Sequence, residues 1–174
     1  TEVVVFDKTG TLTKGNFAVS EVKGNQMSDA ELLRLAAYAE DYSSHPIAVS
    51  IRNAYGETVD STLIKDVEEI PGQGVKAFLE GKEVLAGNAK LMKLKEIDYV
   101  AVQEAGTVVY LGVDGAYAGS ILITDEIKPD SARAMRELKA AGIKQTVMLT
   151  GDADAVGRKV AGELGLDQVY TELL

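Results

Sequence analysis

The first apolar run, Val3-Val4-Val5-Phe6, is continuous and β-branched. That pattern predicts a buried strand of a parallel sheet, in contrast to the alternation of a half-exposed strand. Gly15-Asn16 interrupts the pattern, and Phe17–Val22 then alternates as a second strand, ended by a turn at Lys23-Gly24-Asn25-Gln26. Two amphipathic helices follow. Ser28, with Glu31 three residues on, forms a capping box for a helix reaching about Asp41, whose apolar face is Leu32, Leu33, Leu35, Ala36 and Ala39. Pro46 suits the first turn of the next helix, which runs to about Tyr55 and has Ile47, Ala48, Ile51 and Ala54 as its buried stripe.

From Leu63 the periodicity shortens. Val67–Ile70, Val75–Leu79 and Glu83–Ala86 read as strands joined by Pro71-Gly72-Gln73-Gly74 and Glu80-Gly81-Lys82, and the second of these joins is a hairpin signal. Asn88–Lys95 and Tyr99–Ala105 read as short helices. Thr107–Val113 and Ala116–Ile123, joined at Asp114-Gly115, form a second hairpin. The helical rhythm returns at Asp130–Ala141, with Ala134, Leu138 and Ala141 on one face and Gly142 at its end. A strand at Gln145–Leu149, a helix at Ala155–Leu164 closed by Gly165, and a strand starting at Val169-Tyr170 complete the chain.

Helix, strand, helix, strand is the rhythm of a doubly wound α/β sheet, and it pairs naturally with the parallel strand at Val3–Phe6. The expected fold class is therefore α/β. One parallel-sheet domain is assembled from both ends of the chain, residues 1–15 and 124–174. An α+β antiparallel-sheet domain, residues 16–123, is inserted between them.

Composition removes several alternatives. The formal net charge of −9 argues against a general nucleic-acid or anionic-membrane surface. The absence of cysteine excludes disulfides and thiolate metal sites, and a single histidine excludes a histidine cluster. No run approaches the ~18 apolar residues of a membrane span. An anionic ligand would need a local, preorganised site.

The strongest chemistry follows the first strand. Asp7-Lys8-Thr9-Gly10-Thr11-Leu12-Thr13 places a carboxylate at a strand's carboxyl end, where open α/β sheets hold ligands. Around it lie hydroxyls, backbone N–H groups and one lysine, the parts that hold a phosphoryl group. The reading is a carboxylate nucleophile forming an aspartyl-phosphate. Thr150-Gly151-Asp152, between a strand and a helix, can receive a phosphate at the helix N-terminus, although alone it reads more readily as a simple helix cap. In the inserted domain, Glu40, His45-Pro46, Gly72-Gln73-Gly74 and Gly87-Asn88 combine a carboxylate, an imidazole, an amide and glycines at turns or strand edges. Glycines there permit either close approach of a planar ligand or simple hairpin turns. Imidazole, carboxylate and amide can all engage a purine.

The seven residues from Asp7 resemble the phosphorylation motif of P-type ATPases, cation pumps built on a haloacid dehalogenase-like domain. The resemblance extends over essentially the whole chain. It implies that ATP phosphorylates Asp7 and that Asp7 and the Thr9 carbonyl help hold Mg²⁺. Lys8, Thr150, Gly151 and Asp152 belong to the same catalytic set, with Thr150 touching the phosphoryl group. Ala153 departs from the asparagine usual in the family. Asp125-x-x-Lys128-Pro129 resembles the hinge at the start of the family's phosphorylation domain. The set Glu40, His45, Gly72, Gly74, Gly87 and Asn88 is similar to the adenosine pocket of the heavy-metal pumps.

That resemblance implies a cytoplasmic part of an integral membrane heavy-metal exporter, and the run Tyr42-Ser43-Ser44-His45-Pro46-Ile47-Ala48 looks more like exporters of zinc, cadmium, lead or cobalt than of copper. Its partners would be ATP or ADP and the membrane and actuator domains of the parent pump, and the transported ion would not bind here. The family's downstream lysine and Gly-Asp-Gly loop lie beyond Leu174, so nucleotide binding with little turnover is expected of this piece, together with an exposed sheet edge. The alternative is an autonomous haloacid dehalogenase-like phosphatase with a cap domain. Many of these carry a second acid two residues after the nucleophile. Thr9 stands there instead and cannot protonate a leaving group as a carboxylic acid does.

Overall fold

A computed structural model describes residues 1–173. These divide into two compact units, residues 1–16 with 125–173, and residues 17–124.

The first unit holds a three-stranded parallel sheet in the order β1-β8-β9, formed by β1 (Val3–Asp7), β8 (Gln145–Leu149) and β9 (Gln168–Tyr170). Asp7 pairs in register with Leu149, which in turn pairs with Tyr170. Two helices, α4 (Ser131–Ala140) and α5 (Asp154–Leu164), accompany the sheet. Met135 of α4 and Val160, Ala161 and Leu164 of α5 share one cluster with Leu12 and Met148, and Phe6 and Val169 pack against it. The buried face of α4 runs through Ser131 and Met135, and Ala141 is exposed beyond it, because the 3.6-residue period returns to Met135 four residues after Ser131. β1 departs from expectation. Val3 and Val5 are 45% and 55% exposed, so only its Phe6 side is covered. A continuous apolar run identified the strand but could not say how many layers would pack on it.

The second unit is built on a six-stranded sheet in the order β2-β7-β6-β5-β4-β3. Its strands are β2 (Thr13–Gly24), β3 (Ile64–Ile70), β4 (Gly74–Leu79), β5 (Lys82–Gly87), β6 (Thr107–Val113) and β7 (Ala116–Ile127). β2 and β7 run through the boundary between the units. Strand alternation sorts the core. Val75, Ala77 and Leu79 of β4, Val84 and Ala86 of β5, and Val109 and Leu111 of β6 pack with α1 (Asp29–Ala39) and α2 (Pro46–Tyr55). Leu85 and Tyr110 point the other way and join Leu91 and Met92 of α3 (Ala89–Leu94) with Ile97. Ser28 caps α1 as its sequence predicts, its hydroxyl accepting from the Glu31 N–H at 3.2 Å.

Three local expectations need correction. Gly15-Asn16 does not break the chain, because β2 is continuous from Thr13 to Gly24 and Gly15 adopts φ +72° within it. Tyr99–Ala105 is not helical. Its single periodic stripe is anchored instead by the Tyr110 hydroxyl, which accepts the Val102 N–H at 3.1 Å, and by the Tyr99 ring 4.9 Å from that of Tyr110. On α2, Ala54 is exposed, and Tyr55 takes its place by packing edge-on against Tyr38 at 6.2 Å.

Candidate functional sites

In the first unit the loop after β1 is held by side chains from the returning chain. Residues 8–12 form an irregular turn in which Thr9 is extended and Gly10 sits at φ +78°, a conformation that favours glycine. Lys128 Nζ donates to the Gly10 carbonyl at 3.0 Å, and Ser131 Oγ donates to the Leu12 carbonyl at 2.7 Å. The Thr13 hydroxyl donates to Asp125 Oδ2 at 2.7 Å.

Lys8 is not a free phosphate-facing amine. It is 2% exposed, with Nζ 2.7 Å from Asp152 Oδ2 and 3.4 Å from Asp125 Oδ2. A buried ammonium needs such partners, because stripping its hydration is otherwise too costly. Its position ties three segments together: the turn after β1, the end of β7 and the loop after β8. Asp125 Oδ1 is buried with no partner. The exposed Asp7 carboxylate, in contrast, makes no ion pair or hydrogen bond among the described residues.

Thr150 follows Leu149 and so lies beside Asp7 at the carboxyl ends of paired parallel strands. It is buried, and its hydroxyl accepts the Asp152 N–H at 3.1 Å. Gly151 connects the two. Ala153 caps α5 without a side-chain hydrogen bond, while Asp154 of the first turn accepts from Thr171 Oγ1 at 2.9 Å. Among the described residues no group of three or more His, Cys, Asp or Glu side chains is placed to hold a metal ion. Of the turn's carbonyls, those of Lys8, Gly10 and Leu12 are already engaged, by Thr13, Lys128 and Ser131.

The second unit contains a cavity of about 630 Å³. Glu40, His45, Gly72, Gly74, Gly87 and Asn88 all line it. Ile47, Ala48, Val75 and Val109 supply an apolar wall, and Tyr42, Glu69 and Thr107 extend the lining. Glu69 and Thr107 carry no motif in the sequence; only tertiary packing brings them here.

His45 caps α2, its Nδ1 accepting the Ile47 N–H at 3.2 Å. An accepting Nδ1 requires a neutral ring with its proton on Nε2, which makes Nε2–H a donor. Asn88 caps α3 through Oδ1, which accepts the Leu91 N–H at 3.2 Å, while its Nδ2 donates to the Gly72 carbonyl at 2.9 Å. Both ends of the amide therefore hold the cavity wall.

The glycines have distinct reasons. Gly74 and Gly87 are cross-strand partners. A Cβ on Gly74 would lie 2.2 Å from the Ala86 carbonyl oxygen, and one on Gly87 would lie 2.1 Å from that of Gln73. The close approach they permit is between protein backbones. Gly72 meets nothing, and its requirement is the turn at φ +70°.

Burial raises the Glu40 carboxyl to about 7, opposed by the positive charge of Arg52 and reinforced by the negative charge of Glu69. The lining thus presents an N–H donor, a carboxyl that changes ionisation near neutrality and an apolar surface wide enough for a planar heterocycle.

Comparison with known proteins agrees with both halves of the chain. The model of the haloacid dehalogenase-like hydrolases matches residues 1–174. A zinc-transporting ATPase of Synechocystis sp. is 51% identical over 174 residues, covering 99% of this chain and 24% of the relative. A cadmium, zinc and cobalt-transporting ATPase of Bacillus subtilis is 53% identical over 171 residues, covering 98% of this chain and 24% of the relative. This chain therefore spans about a quarter of the length of these curated relatives. The crystal structure of a zinc-transporting PIB-type ATPase in the E2.Pi state superposes with a TM-score of 0.84 at 33% identity, over 100% of this chain and 29% of that one. With a strand-end aspartate, a threonine at the adjacent strand end and a family match along its whole length, the chain belongs to the haloacid dehalogenase-like hydrolases.

Proposed function

We propose that this chain is the ATP-binding and phosphorylation part of a P-type ATPase that exports a zinc-like divalent cation, on the cytoplasmic side of a membrane-embedded pump. The observation that carries the reading is the convergence of Glu40, His45, Gly72, Gly74, Gly87 and Asn88, from three separate stretches of chain, on one cavity. The adenine base occupies that cavity, with His45 Nε2–H and the Glu40 carboxyl as polar contacts and the apolar wall against its face. The similarity to pumps named for zinc, cadmium and cobalt supports the choice of ion.

Asp7 is the phosphoryl acceptor. An oxygen of its carboxylate bonds to the γ-phosphorus of ATP as the bond from that phosphorus to the bridging oxygen breaks, leaving ADP and an acyl phosphate. Its exposure and lack of partners leave a lone pair available for attack. Thr150, beside it, donates its hydroxyl to the phosphoryl oxygens. Lys8 acts from beneath, fixing Asp152 and the turn rather than meeting the phosphate itself. The Asp7 carboxylate and the Thr9 carbonyl suit Mg²⁺, a hard ion that accepts few protein oxygens and keeps several waters. When bound it neutralises charge on the transferring group. Thr9, lacking a proton to give as an acid, suits a phosphoenzyme that persists.

Titration calorimetry with ADP tests the cavity. His45→Asn retains a good helix cap but removes Nε2–H, so it should keep its melting temperature and lose about tenfold in affinity. Unchanged affinity would remove the base-binding assignment. Labelling of the complete pump with γ-³²P-ATP tests Asp7: Asp7→Asn should abolish the hydroxylamine-sensitive phosphoprotein.

A further inference from the structure

We propose that Arg52 is a positioning residue of the nucleotide cavity. Its guanidinium grips the backbone at both ends of the Glu40–Ser43 turn and so holds Glu40 and His45 where they meet the base. The inference rests on the nucleotide reading of the cavity given above.

Helix α1 ends at Ala39 and α2 begins at Pro46. The six residues between them carry Glu40 and His45, and a loop of that kind has no ladder to fix it. Arg52, on α2, supplies the fixing. Its Nη1 donates to the Glu40 carbonyl at 2.6 Å and to the Ser43 carbonyl at 2.8 Å. The carbonyls of a helix's last turn lack intrahelical partners, and a cation there also complements the helix dipole. The Ser43 hydroxyl in turn accepts the His45 N–H at 3.2 Å. A chain of bonds therefore runs from Arg52 through Ser43 to His45, while the other bond acts on Glu40 directly.

Arg52 does not itself line the cavity, so it works from behind the wall. Both bonds leave one nitrogen, Nη1, whose two N–H bonds are fixed in the plane of a permanently charged guanidinium; a lysine ammonium is a compact charge that turns freely on a flexible stem. Two further charges act on Glu40. Glu69 of β3 opposes its ionisation and Arg52 favours it. His45, lining the same cavity, is neutral when it caps α2. Arg52 thus has two separable effects, one geometric and one electrostatic.

The two effects are separated by titrating wild type, Arg52→Lys and Arg52→Met with ADP by calorimetry from about pH 5.5 to about pH 8.5, bracketing the range in which Glu40 changes charge. Arg52→Met should lose about tenfold or more in affinity, and the midpoint of its pH profile should move upward, because Glu40 loses the positive charge facing it. Arg52→Lys keeps the charge, so its midpoint should stay near wild type while affinity still falls severalfold. A residue serving stability alone would leave the midpoint unmoved in both. Wild-type affinity and midpoint in both variants would overturn the proposal. Should Arg52→Met fail to fold, Arg52→Lys decides alone, and undiminished affinity there refutes the geometric hold. If wild type itself does not bind ADP, the nucleotide reading fails. Amide exchange at residues 40–45 then still reads the grip: faster exchange in Arg52→Lys supports it, and wild-type exchange overturns it.

Discussion

The two units handle acidic side chains in opposite ways. In the first, the reactive candidate Asp7 lies open to solvent, and the ionic structure is buried beneath it: Lys8 between Asp125 and Asp152, with Thr13 completing the network. In the second, the carboxyl itself is the group partly withdrawn from water. Glu40 has no ion-pair partner among the described residues and is raised to about 7 by desolvation. A carboxylate that must attack phosphorus needs a free lone pair on a rigid support. One that must contact a base gains from a dry, neutral-leaning setting, where a hydrogen bond is stronger than in water. Rigidity comes from charge pairing in the first unit and from backbone-to-backbone packing, with small residues, in the second.

The largest test of that contrast is a methyl group. Gly87→Ala forces a Cβ to within 2.1 Å of the Gln73 carbonyl, which is backbone and cannot step aside. We expect a loss of about 3 kcal/mol or more in the second unit, with the first intact, read as separate transitions in denaturant monitored by amide NMR. Gly72→Ala is the control. It meets no atom and suffers only the φ +70° strain, so it should cost about 1 kcal/mol. Equal costs would mean that the glycine pair does not lock the wall.

Lys8→Met probes the other unit. It leaves two carboxylates converging on an apolar side chain, and a loss of about 3 kcal/mol confined to the first unit is expected. Asp152→Asn should cost only about 1 kcal/mol, since Asp152 is 40% exposed and water screens it. A small effect of Lys8→Met would show that the buried network is not what holds the turn.

The pH dependence of the second unit follows from Glu40. Its carboxyl holds its proton to higher pH in the folded chain, about 7, than the ordinary value of 4.5. The stabilising contribution is therefore complete below about pH 4.5 and is lost as pH rises through about 7, an effect on the order of 2 kcal/mol. Glu40→Gln should flatten this part of the profile in urea titrations at stepped pH. A wild-type profile that stays flat from pH 5 to 8 (bracketing the range above) would mean that the carboxyl is better solvated than its burial implies. The smallest effect is that of the cap: His45→Ala should cost about 1 kcal/mol by freeing the Ile47 N–H, seen as a lowered melting temperature.

Much of this was legible in the residue order. The strand ending at Asp7, the glycine turn after it, the Ser28 cap and the hairpins are local features, set by side-chain branching, φ preference and period, and they need no partner from elsewhere in the chain. The residue set around His45 is named by its resemblance to the heavy-metal pumps, since its residue types alone read equally as hairpin glycines and a lone histidine. What could not be read is what each residue touches. Lys8 looked like a phosphate ligand until the returning strand placed Asp125, and the next loop Asp152, against its amine. Gly74 and Gly87 could serve a flat ligand or a hairpin turn, and what crowds them is the backbone of Ala86 and of Gln73. Tyr99–Ala105 had the composition of a helix but was claimed by the Tyr110 hydroxyl. Arg52 carried no signal, because its role depends on two carbonyls that come within reach only when α1 and α2 pack together. The sequence alone determined the backbone preferences and the chemical inventory, since both are local. Tertiary structure decided which charges are buried, which glycines are crowded and where a carboxyl loses its water, because desolvation and steric contact are properties of neighbours far apart in the chain.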